Sequence, residues 1–209
     1  MKTTGTLIAA FGRQYEVRTD DTSEILLCVP RGKKSLFACG DRVQIAATGP
    51  GQGVIDKLLE RTSLLYRSDA WRQKLIAANA TQVVLVVATE PSFSDEFLSR
   101  CICAAESHHL KVLIVLNKID IVAGLEGARA QLATFAELGY PILELSALDS
   151  ADALRARLIG ETSLLVGQSG MGKSTLTNAL IPEARAETRE ISEYLDTGKH
   201  TTTFARLYP

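Results

Sequence analysis

One segment constrains the fold more than any other, the run Gly167-Gln-Ser-Gly-Met-Gly-Lys-Ser174. It follows the apolar stretch 162–166 and precedes a stretch, 173–180, with the residue spacing of a helix. Gly167 and Gly172, with four residues between them, and a following Lys-Ser pair let backbone N–H groups curl around phosphate oxygens when the loop joins a strand to a helix. The positive N-terminal end of that helix would face the same oxygens. The segment therefore predicts a strand-loop-helix unit that holds phosphate groups.

The rest of the chain after residue 80 alternates between strand and helix patterns. Residues 83–88 and 112–116 are continuous apolar runs, which is typical of strands buried on both faces of a sheet. Further strands are predicted at 141–145 and 162–166, and helices at 95–109, 124–138, 150–158 and 173–180. This alternation predicts a parallel α/β sheet with a ligand crevice at the carboxyl ends of its strands.

The phosphate loop supplies most of the candidate binding residues. Lys173 can place a compact positive charge on the outer phosphates, and the Ser174 hydroxyl is an oxygen ligand of the kind that Mg²⁺ prefers. The candidate nucleotide-binding residues of this segment are Gly167, Gln168, Ser169, Gly170, Met171, Gly172, Lys173, Ser174 and Thr175.

A second motif selects the base. Asn117-Lys-Ile-Asp120 directly follows an apolar run. The Asp120 carboxylate can accept from N1–H and from the N2 amine of guanine, whereas adenine offers neither donor and would leave buried groups unpaired, at about 1–3 kcal/mol for each. Asn117 can hold the loop, the stem of Lys118 can cover the ring system, and after the next strand Ser146-Ala147 can offer the Ala147 N–H to guanine O6. The two motifs together predict a guanine-nucleotide site, and Asp120 argues against an ATPase.

The first 62 residues have a different pattern. Short β-runs at 6–10, 14–18, 25–29, 40–45 and 54–55 are separated by Gly-rich turns and predict a small barrel. Residues 1–75 hold 12 Lys and Arg against 8 Asp and Glu, while residues 76–209 hold 11 against 16. This asymmetry fits a polyanion partner for the N-terminal part, and it equally fits an uneven surface charge without a partner.

The motif order is unusual, because the base-reading motif and Ser146-Ala147 precede the phosphate loop, whereas ordinary GTPases begin with that loop. With the β-rich N-terminus and the segment Gly198-Lys-His-Thr-Thr-Thr203, the chain resembles the ribosome small subunit-dependent GTPase A family, whose GTPase domain is circularly permuted. Further matching segments are Arg31-Gly-Lys, Gly40-Asp-Arg-Val and Leu207-Tyr-Pro. The resemblance covers essentially the whole chain.

The resemblance implies an OB-fold barrel at 1–62, a connector at 63–80 and a circularly permuted P-loop GTPase domain at 81–209. It implies GTP and GDP as ligands with Mg²⁺, GTP hydrolysis stimulated by the 30S ribosomal subunit, a role in late maturation of that subunit, and contact with 16S rRNA. Arg31, Lys33, Lys34 and Arg42 would then lie on the barrel rim, either as phosphate contacts or as solvated charges. We also expect a cytoplasmic monomer without a membrane anchor, since the chain lacks a signal-peptide core and an apolar run of about 18 residues.

The resemblance also points to a switch region at residues 185–203. Thr201 or Thr202 would be a second Mg²⁺ ligand, and His200 would orient the attacking water, or would be an exposed histidine without a chemical role. No Asp-x-x-Gly motif follows, and the ligands of the zinc expected in a C-terminal domain of the family are absent. We therefore expect a fragment of a longer enzyme. The alternative is a guanine-nucleotide-dependent RNA-binding module, or an inactive form, that does not hydrolyse GTP.

Overall fold

Strands whose alternate residues face inward build the N-terminal part of the molecule. The computed structural model of the chain describes residues 2–32, 37–68, 73–182, 184 and 205–208. The strands β1 (Lys2–Phe11), β2 (Gln14–Thr19), β3 (Ile25–Pro30), β4 (Arg42–Gly49) and β5 (Gln52–Leu58) form a closed barrel in the order β1-β2-β3-β5-β4. All pairs are antiparallel except β3 with β5. A closed five-stranded barrel of this order is OB-like, so the predicted fold class of this part is confirmed.

The barrel is filled by one side of each strand. Its buried cluster comprises Leu7, Tyr15, Val17, Leu26, Cys28, Cys39, Val43, Ile45 and Ile55. Tyr15 and Phe37 meet edge to face, with ring centroids 5.3 Å apart. The period-2 burial of β2 reproduces the alternation that predicted it, and β3, predicted from a compact apolar run, alternates in burial as well.

The segment predicted as a connector contains a β-hairpin. Strands β6 (Leu64–Ser68) and β7 (Gln73–Ala78) pair antiparallel. The hairpin is joined to the barrel, because the Ala78 N–H donates to Cys39 O (2.8 Å) and the Asn79 side chain donates to Gly40 O (2.8 Å). The polar, mixed composition of this segment concealed the pairing, which these non-local hydrogen bonds stabilise.

The last described residues, 205–208, pair with the barrel. Arg206 forms an antiparallel bridge with Ala9, and the Leu207 N–H donates to Ile8 O at 2.8 Å. An ion pair between Arg206 and Glu16, 3.0 Å long, adds to this attachment. The sequence expectation assigned this segment to the GTPase domain at 81–209, whereas the structure groups Met1–Ala80 with Thr202–Pro209 in one compact unit and places Thr81–Thr201 in the other.

The second unit is a parallel sheet with helices between its strands. Along the chain come β8 (Gln82–Ala88), α1 (Asp95–Ser107), β9 (Lys111–Asn117), α2 (Leu125–Glu137), β10 (Ile142–Glu144), α3 (Asp152–Leu158), β11 (Ser163–Val166) and α4 (Lys173–Leu180). The sheet order is β10-β9-β8-β11, and all its pairs are parallel. The central strands are buried, as their apolar runs predicted. β11 is only half-buried, because in the described part of the chain it pairs with β8 alone.

None of the helices in the described ranges combines the length and the apolar character needed to cross a bilayer.

Candidate functional site

Four loops converge at one edge of the parallel sheet. Thr89 follows β8, Asn117 ends β9, Ser146 follows β10 and Gly167 follows β11. Parallel neighbouring strands end at the same edge, so a sequence that places polar and Gly-rich loops after each strand gathers them into one crevice. The base-reading motif, Ser146-Ala147 and the phosphate loop therefore meet despite separations of about thirty to fifty residues along the chain.

Asn117 joins three of these loops. Its side chain is 1% exposed; Nδ2 donates to Met171 O at 3.0 Å, and Oδ1 accepts from Ala147 N at 3.0 Å. Both ends of one buried amide are thus satisfied, one by the phosphate loop and one by the Ser146-Ala147 turn. Loss of such a bond leaves a buried backbone group unpaired, at a cost of about 1–3 kcal/mol. The two hydrogen bonds of the Asn117 side chain therefore fix the spacing between the predicted base and phosphate subsites.

The phosphate loop approaches its neighbours too closely for a side chain at two of its glycines. A Cβ on Gly172 would lie 2.3 Å from Asn117 Nδ2, and Gly172 also has a φ of 88°. A Cβ on Gly167 would lie 2.3 Å from Val86 O. Glycine is required at Gly172 for both steric and backbone reasons, and at Gly167 for close contact with β8.

Lys173 begins α4 and folds back over the loop. Its Nζ donates to Gly167 O at 2.8 Å and to Gln168 O at 2.7 Å. Burial lowers the pKa of Lys173, because the ammonium has given up part of its hydration. An anionic phosphate near this ammonium would compensate for the lost hydration, so the environment of Lys173 favours binding of a negatively charged group.

The N-terminus of α4 is open to an anion. Gly172 occupies the N-cap position and offers no capping side chain, and the first turn of the helix holds no acidic residue. The leading N–H groups of a helix without a cap can bind an anion. Ser174 and Thr175 are exposed in this first turn. They border a cavity of about 370 Å³ that is also lined by Lys118, Ser169, Gly170, Gly172 and Lys173. That volume lies within the range of small-molecule sites.

The base-reading side consists of Lys118, Asp120, Ser146 and Ala147. Asp120 is exposed three residues after the end of β9, and Ser146 is buried with its Oγ accepting from Leu148 N at 3.3 Å. The Ala147 N–H, predicted to donate to guanine O6, donates here to Asn117 Oδ1. Contact with O6 stays a prediction, and it requires this N–H to be shared or to change partner.

The loop between β8 and α1 is a part of the crevice that the sequence motifs did not indicate. Glu90 O accepts from Lys118 Nζ at 2.8 Å, and Ser94 N donates to Gln168 Oε1 at 3.1 Å. Pro91 lies beside Gly170, where a Cβ would meet its ring at 3.2 Å. The available signal was positional, because residues 89–94 follow a buried strand just as the base-reading motif does. A loop at this edge supports both predicted motifs.

Several predicted residues lie outside the described part of the chain. These are His200, Thr201, Thr202, Lys33 and Lys34. Ser174 is therefore the predicted Mg²⁺ ligand that the structure places, and its exposed hydroxyl at the start of α4 fits an oxygen-ligated ion that keeps several waters. Within the described residues, no group of three or more His, Cys, Asp and Glu side chains is arranged to hold a metal ion.

The two described arginines predicted for the barrel rim have different surroundings. Arg42 donates to Asp20 at 2.7 Å and to Thr6 at 3.0 Å, so its charge is matched one to one. Hydrogen bonding to Arg42 lowers the pKa of Asp20. Arg31 is 69% exposed and lies 2.7 Å from the carboxylate of Asp56. Arg42 is thus the less available of the two for an external anion.

Comparison with known proteins matches this architecture. The family model described as RsgA GTPase matches residues 58–209. The small ribosomal subunit biogenesis GTPase RsgA of Burkholderia pseudomallei is 54% identical over 209 residues, with 98% of this chain and 67% of that protein covered. The protein of the same name from Nitrosospira multiformis is 55% identical over 204 residues, covering 98% and 65%.

Two solved structures share the fold. The crystal structure of YjeQ from Thermotoga maritima superposes with a TM-score of 0.71 at 30% identity, covering 87% of this chain and 66% of that one. YloQ, described as a circularly permuted GTPase, gives a TM-score of 0.65 at 26% identity, covering 88% and 66%. The chain thus spans about two thirds of the length of the relatives it matches. On the extent of the family match, the identity to these relatives and the permuted order of its site, the chain belongs to the RsgA GTPase family.

Proposed function

We propose that this chain binds guanine nucleotides and hydrolyses GTP as a factor in biogenesis of the small ribosomal subunit, through contact with 16S rRNA late in maturation. The observation that carries the proposal is the Asn117 side chain, which ties the base-reading loop to the Ser146-Ala147 turn and to the phosphate loop. The names of the relatives, small ribosomal subunit biogenesis GTPases, support the biological role.

The residues divide the task of holding the nucleotide. The open N-terminus of α4 and the loop amides would bind the phosphates, and Lys173 would release its two carbonyl partners to meet them. Asp120 would accept from the guanine N1–H and N2 amine, while Lys118 covers the ring. The Ser174 hydroxyl would hold Mg²⁺, which when bound neutralises charge on the outer phosphates. His200 is the proposed water-positioning residue on the family resemblance alone.

Replacement of Asp120 by Asn tests the base assignment. The side-chain NH₂ of Asn would face the N2 amine of guanine, so two donors would oppose each other. The 2-oxo group of xanthine, in contrast, can accept a hydrogen bond from that NH₂. We expect weaker binding of GDP and stronger binding of xanthosine diphosphate, with a reversal of preference measured by isothermal titration calorimetry. Asp149→Asn, an exposed acidic change in the next loop, is the matched control. If the Asp120→Asn protein still prefers GDP, Asp120 is not the residue that recognises the base.

GTP turnover with purified small subunits tests the catalytic role. Phosphate release should be slow for the isolated chain and should rise when 30S subunits are added, with the Burkholderia pseudomallei relative as the positive control. Tight GDP binding without any phosphate release, while the control turns over, would favour the non-hydrolysing RNA-binding module instead.

A further inference from the structure

Three arginines of the barrel unit are each paired with one carboxylate. Arg42 is matched by Asp20, Arg61 by Asp41 and Arg206 by Glu16. In contrast, a cavity of about 430 Å³ is lined by Lys2, Arg31, Lys57, Gln44 and a single carboxylate, Asp56. Three cations face one anion, so this cavity carries a net positive charge of two.

The carboxylate at the centre of the cavity is buried and anchors two of the cations. The Asp56 side chain is 9% exposed, with Arg31 Nε 2.7 Å from Oδ1 and Lys2 Nζ 3.4 Å from Oδ2. Oδ1 has no well-aligned hydrogen bond in the described structure in spite of the short distance to Arg31, so its pairing is electrostatic. Arg31 and Lys2 remain 69% and 64% exposed. The buried anion therefore orients cations whose donor groups still face solvent.

Lys57 adds a charge that no carboxylate of the described residues pairs with. It is exposed on β5, next to Asp56 in sequence, and among the described residues no Asp or Glu oxygen lies within ion-pair distance of it. Gln44, its partner in the register of β4 with β5, contributes a neutral amide donor beside it. Cations and an amide side by side on adjacent strands suit the oxygens of successive phosphates.

The strand face that OB-folds commonly use for oligonucleotides has a different character in this barrel. That face is formed by strands 2 and 3, and here the outward residues of β3 are Ile25, Leu27 and Val29, which are 40–49% exposed. Aliphatic side chains offer no partner to a phosphate. The cationic cavity lies instead on β1, β4 and β5, with Arg31 just past the end of β3.

We propose that Lys2, Arg31 and Lys57 form a phosphodiester-binding site for RNA, with Asp56 as the positioning residue that holds Arg31 and Lys2 in place. The choice of RNA among polyanions rests on the proposed function, since the small ribosomal subunit is rich in exposed RNA backbone. The site is thus assigned to the β1-β4-β5 face of the barrel.

Salt-dependent RNA binding tests the location of the site. Fluorescence anisotropy with a labelled mixed-sequence RNA of about 12 nucleotides, within the length that one OB-fold covers, would be measured across a range of KCl concentrations. Each of Lys57→Gln and Arg31→Gln should weaken binding several-fold and reduce the slope of log K against log salt by about 0.7, the value for one lost phosphate contact on a single strand.

The matched controls are Arg18→Gln, on β2 outside the cavity, and Arg157→Gln, exposed on α3 of the other unit. Equal losses in the controls, or unchanged slopes in the cavity variants, would overturn the assignment.

The role of Asp56 has its own test. Asp56→Asn raises the net charge of the cavity by one, so charge alone would tighten RNA binding, whereas loss of the anchor should weaken it. Weaker binding supports the positioning role, and tighter binding overturns it. Thermal unfolding monitored by circular dichroism shows whether the variant is folded; if it is not, Asp56→Ser in a Lys2→Gln background replaces it and is compared with Lys2→Gln alone, against which it also raises the charge by one.

Calorimetric titration with GDP separates this proposal from the proposed function. The cavity variants should bind GDP as the unchanged chain does, because every residue altered lies outside the nucleotide crevice. If the cavity variants bind GDP, turn over GTP and bind RNA as the unchanged chain does, only the RNA site is rejected. If the unchanged chain shows no GTP turnover with 30S subunits, the enzymatic role is rejected. The RNA site would still be supported in that case if the salt slopes of the cavity variants change as expected.

Discussion

Gly172 and Asn117 illustrate how single residues determine the candidate site. Gly172 has a φ of 88°, and a Cβ at this position would lie 2.3 Å from Asn117 Nδ2. The same Nδ2 donates to Met171 O. The close approach and the hydrogen bond depend on each other. A side chain at residue 172 would push the base-reading loop away from the phosphate loop.

Gly172→Ala should therefore impair nucleotide binding. We expect at least a tenfold loss of GDP affinity, equivalent to about 1.4 kcal/mol, together with a lower melting temperature, measured by calorimetry and thermal unfolding. Gly127→Ala is the matched control, because Gly127 is exposed in α2 with nothing within 4 Å of a Cβ. Gly127 lies in the first turn of α2, where alanine should raise stability by less than the roughly 1 kcal/mol of a helix interior. Equal GDP affinity in both variants would contradict the steric account.

At the scale of secondary-structure elements, the β6-β7 hairpin depends on the barrel beside it. Asp41 is 0% exposed; its Oδ1 accepts from Arg61 Nε at 2.6 Å, and its Oδ2 accepts from Arg61 Nη2 at 2.7 Å and from Ala38 N at 2.8 Å. Arg61 lies three residues before the start of β6, so this buried pair fixes the chain close to the entry of the hairpin. The hydrogen bond and charge of Asp41 also raise the pKa of Arg61.

Removal of Arg61 should destabilise the barrel unit. Arg61→Ala leaves the Asp41 carboxylate buried without its partner, at a cost of about 3–5 kcal/mol, which urea unfolding would measure. The exposed pair of Arg100 and Glu96 provides the control, since Arg100→Ala should change stability by only about 0.5 kcal/mol. Addition of Asp41→Asn to Arg61→Ala should recover part of the loss, because the amide oxygen still accepts from Ala38 N without carrying charge. No recovery would mean that packing of Arg61, rather than the buried charge, is responsible.

At the scale of the whole molecule, the chain enters the nucleotide-binding unit once and returns once to the barrel unit. The barrel unit contains residues from both ends of the chain, Met1–Ala80 and Thr202–Pro209, and all the described nucleotide-site residues belong to Thr81–Thr201. Circular permutation leaves the loops of the crevice together, because their positions depend on strand ends rather than on chain order.

Nucleotide should therefore protect one unit selectively. At 100 times its dissociation constant, GDP adds about 2.7 kcal/mol to the stability of the state that binds it. Hydrogen exchange measured by mass spectrometry should show slower exchange at residues 117–120, 146–147 and 167–175, with little change in strands β1–β5. Protection of equal size throughout the barrel would contradict separate stabilisation of the two units.

Much of the architecture could be predicted from the sequence because the signals were local. The continuous apolar runs of β8 and β9 predicted buried parallel strands, alternating residues predicted β2, a compact apolar run predicted β3, and the predicted helix at 173–180 matches the bounds of α4. The hairpin at β6 and β7 was not predicted, since its stability comes from contacts with residues 38–41 that are distant in sequence.

The sequence by itself determined the kinds of element, the two nucleotide motifs and their permuted order, because residue periodicity and Gly, Lys and Asp at fixed spacings are local properties. Only the tertiary structure decided which groups those motifs contact: Met171 O and Ala147 N for Asn117, Glu90 O for Lys118 and Ser94 N for Gln168. It also decided that Arg42 is neutralised by Asp20, while Arg31 and Lys2 share the carboxylate of Asp56 in a cavity that Lys57 also lines. Charge pairing and hydrogen bonding between distant segments depend on how the strands close into a barrel and a sheet, and no local pattern encodes that closure.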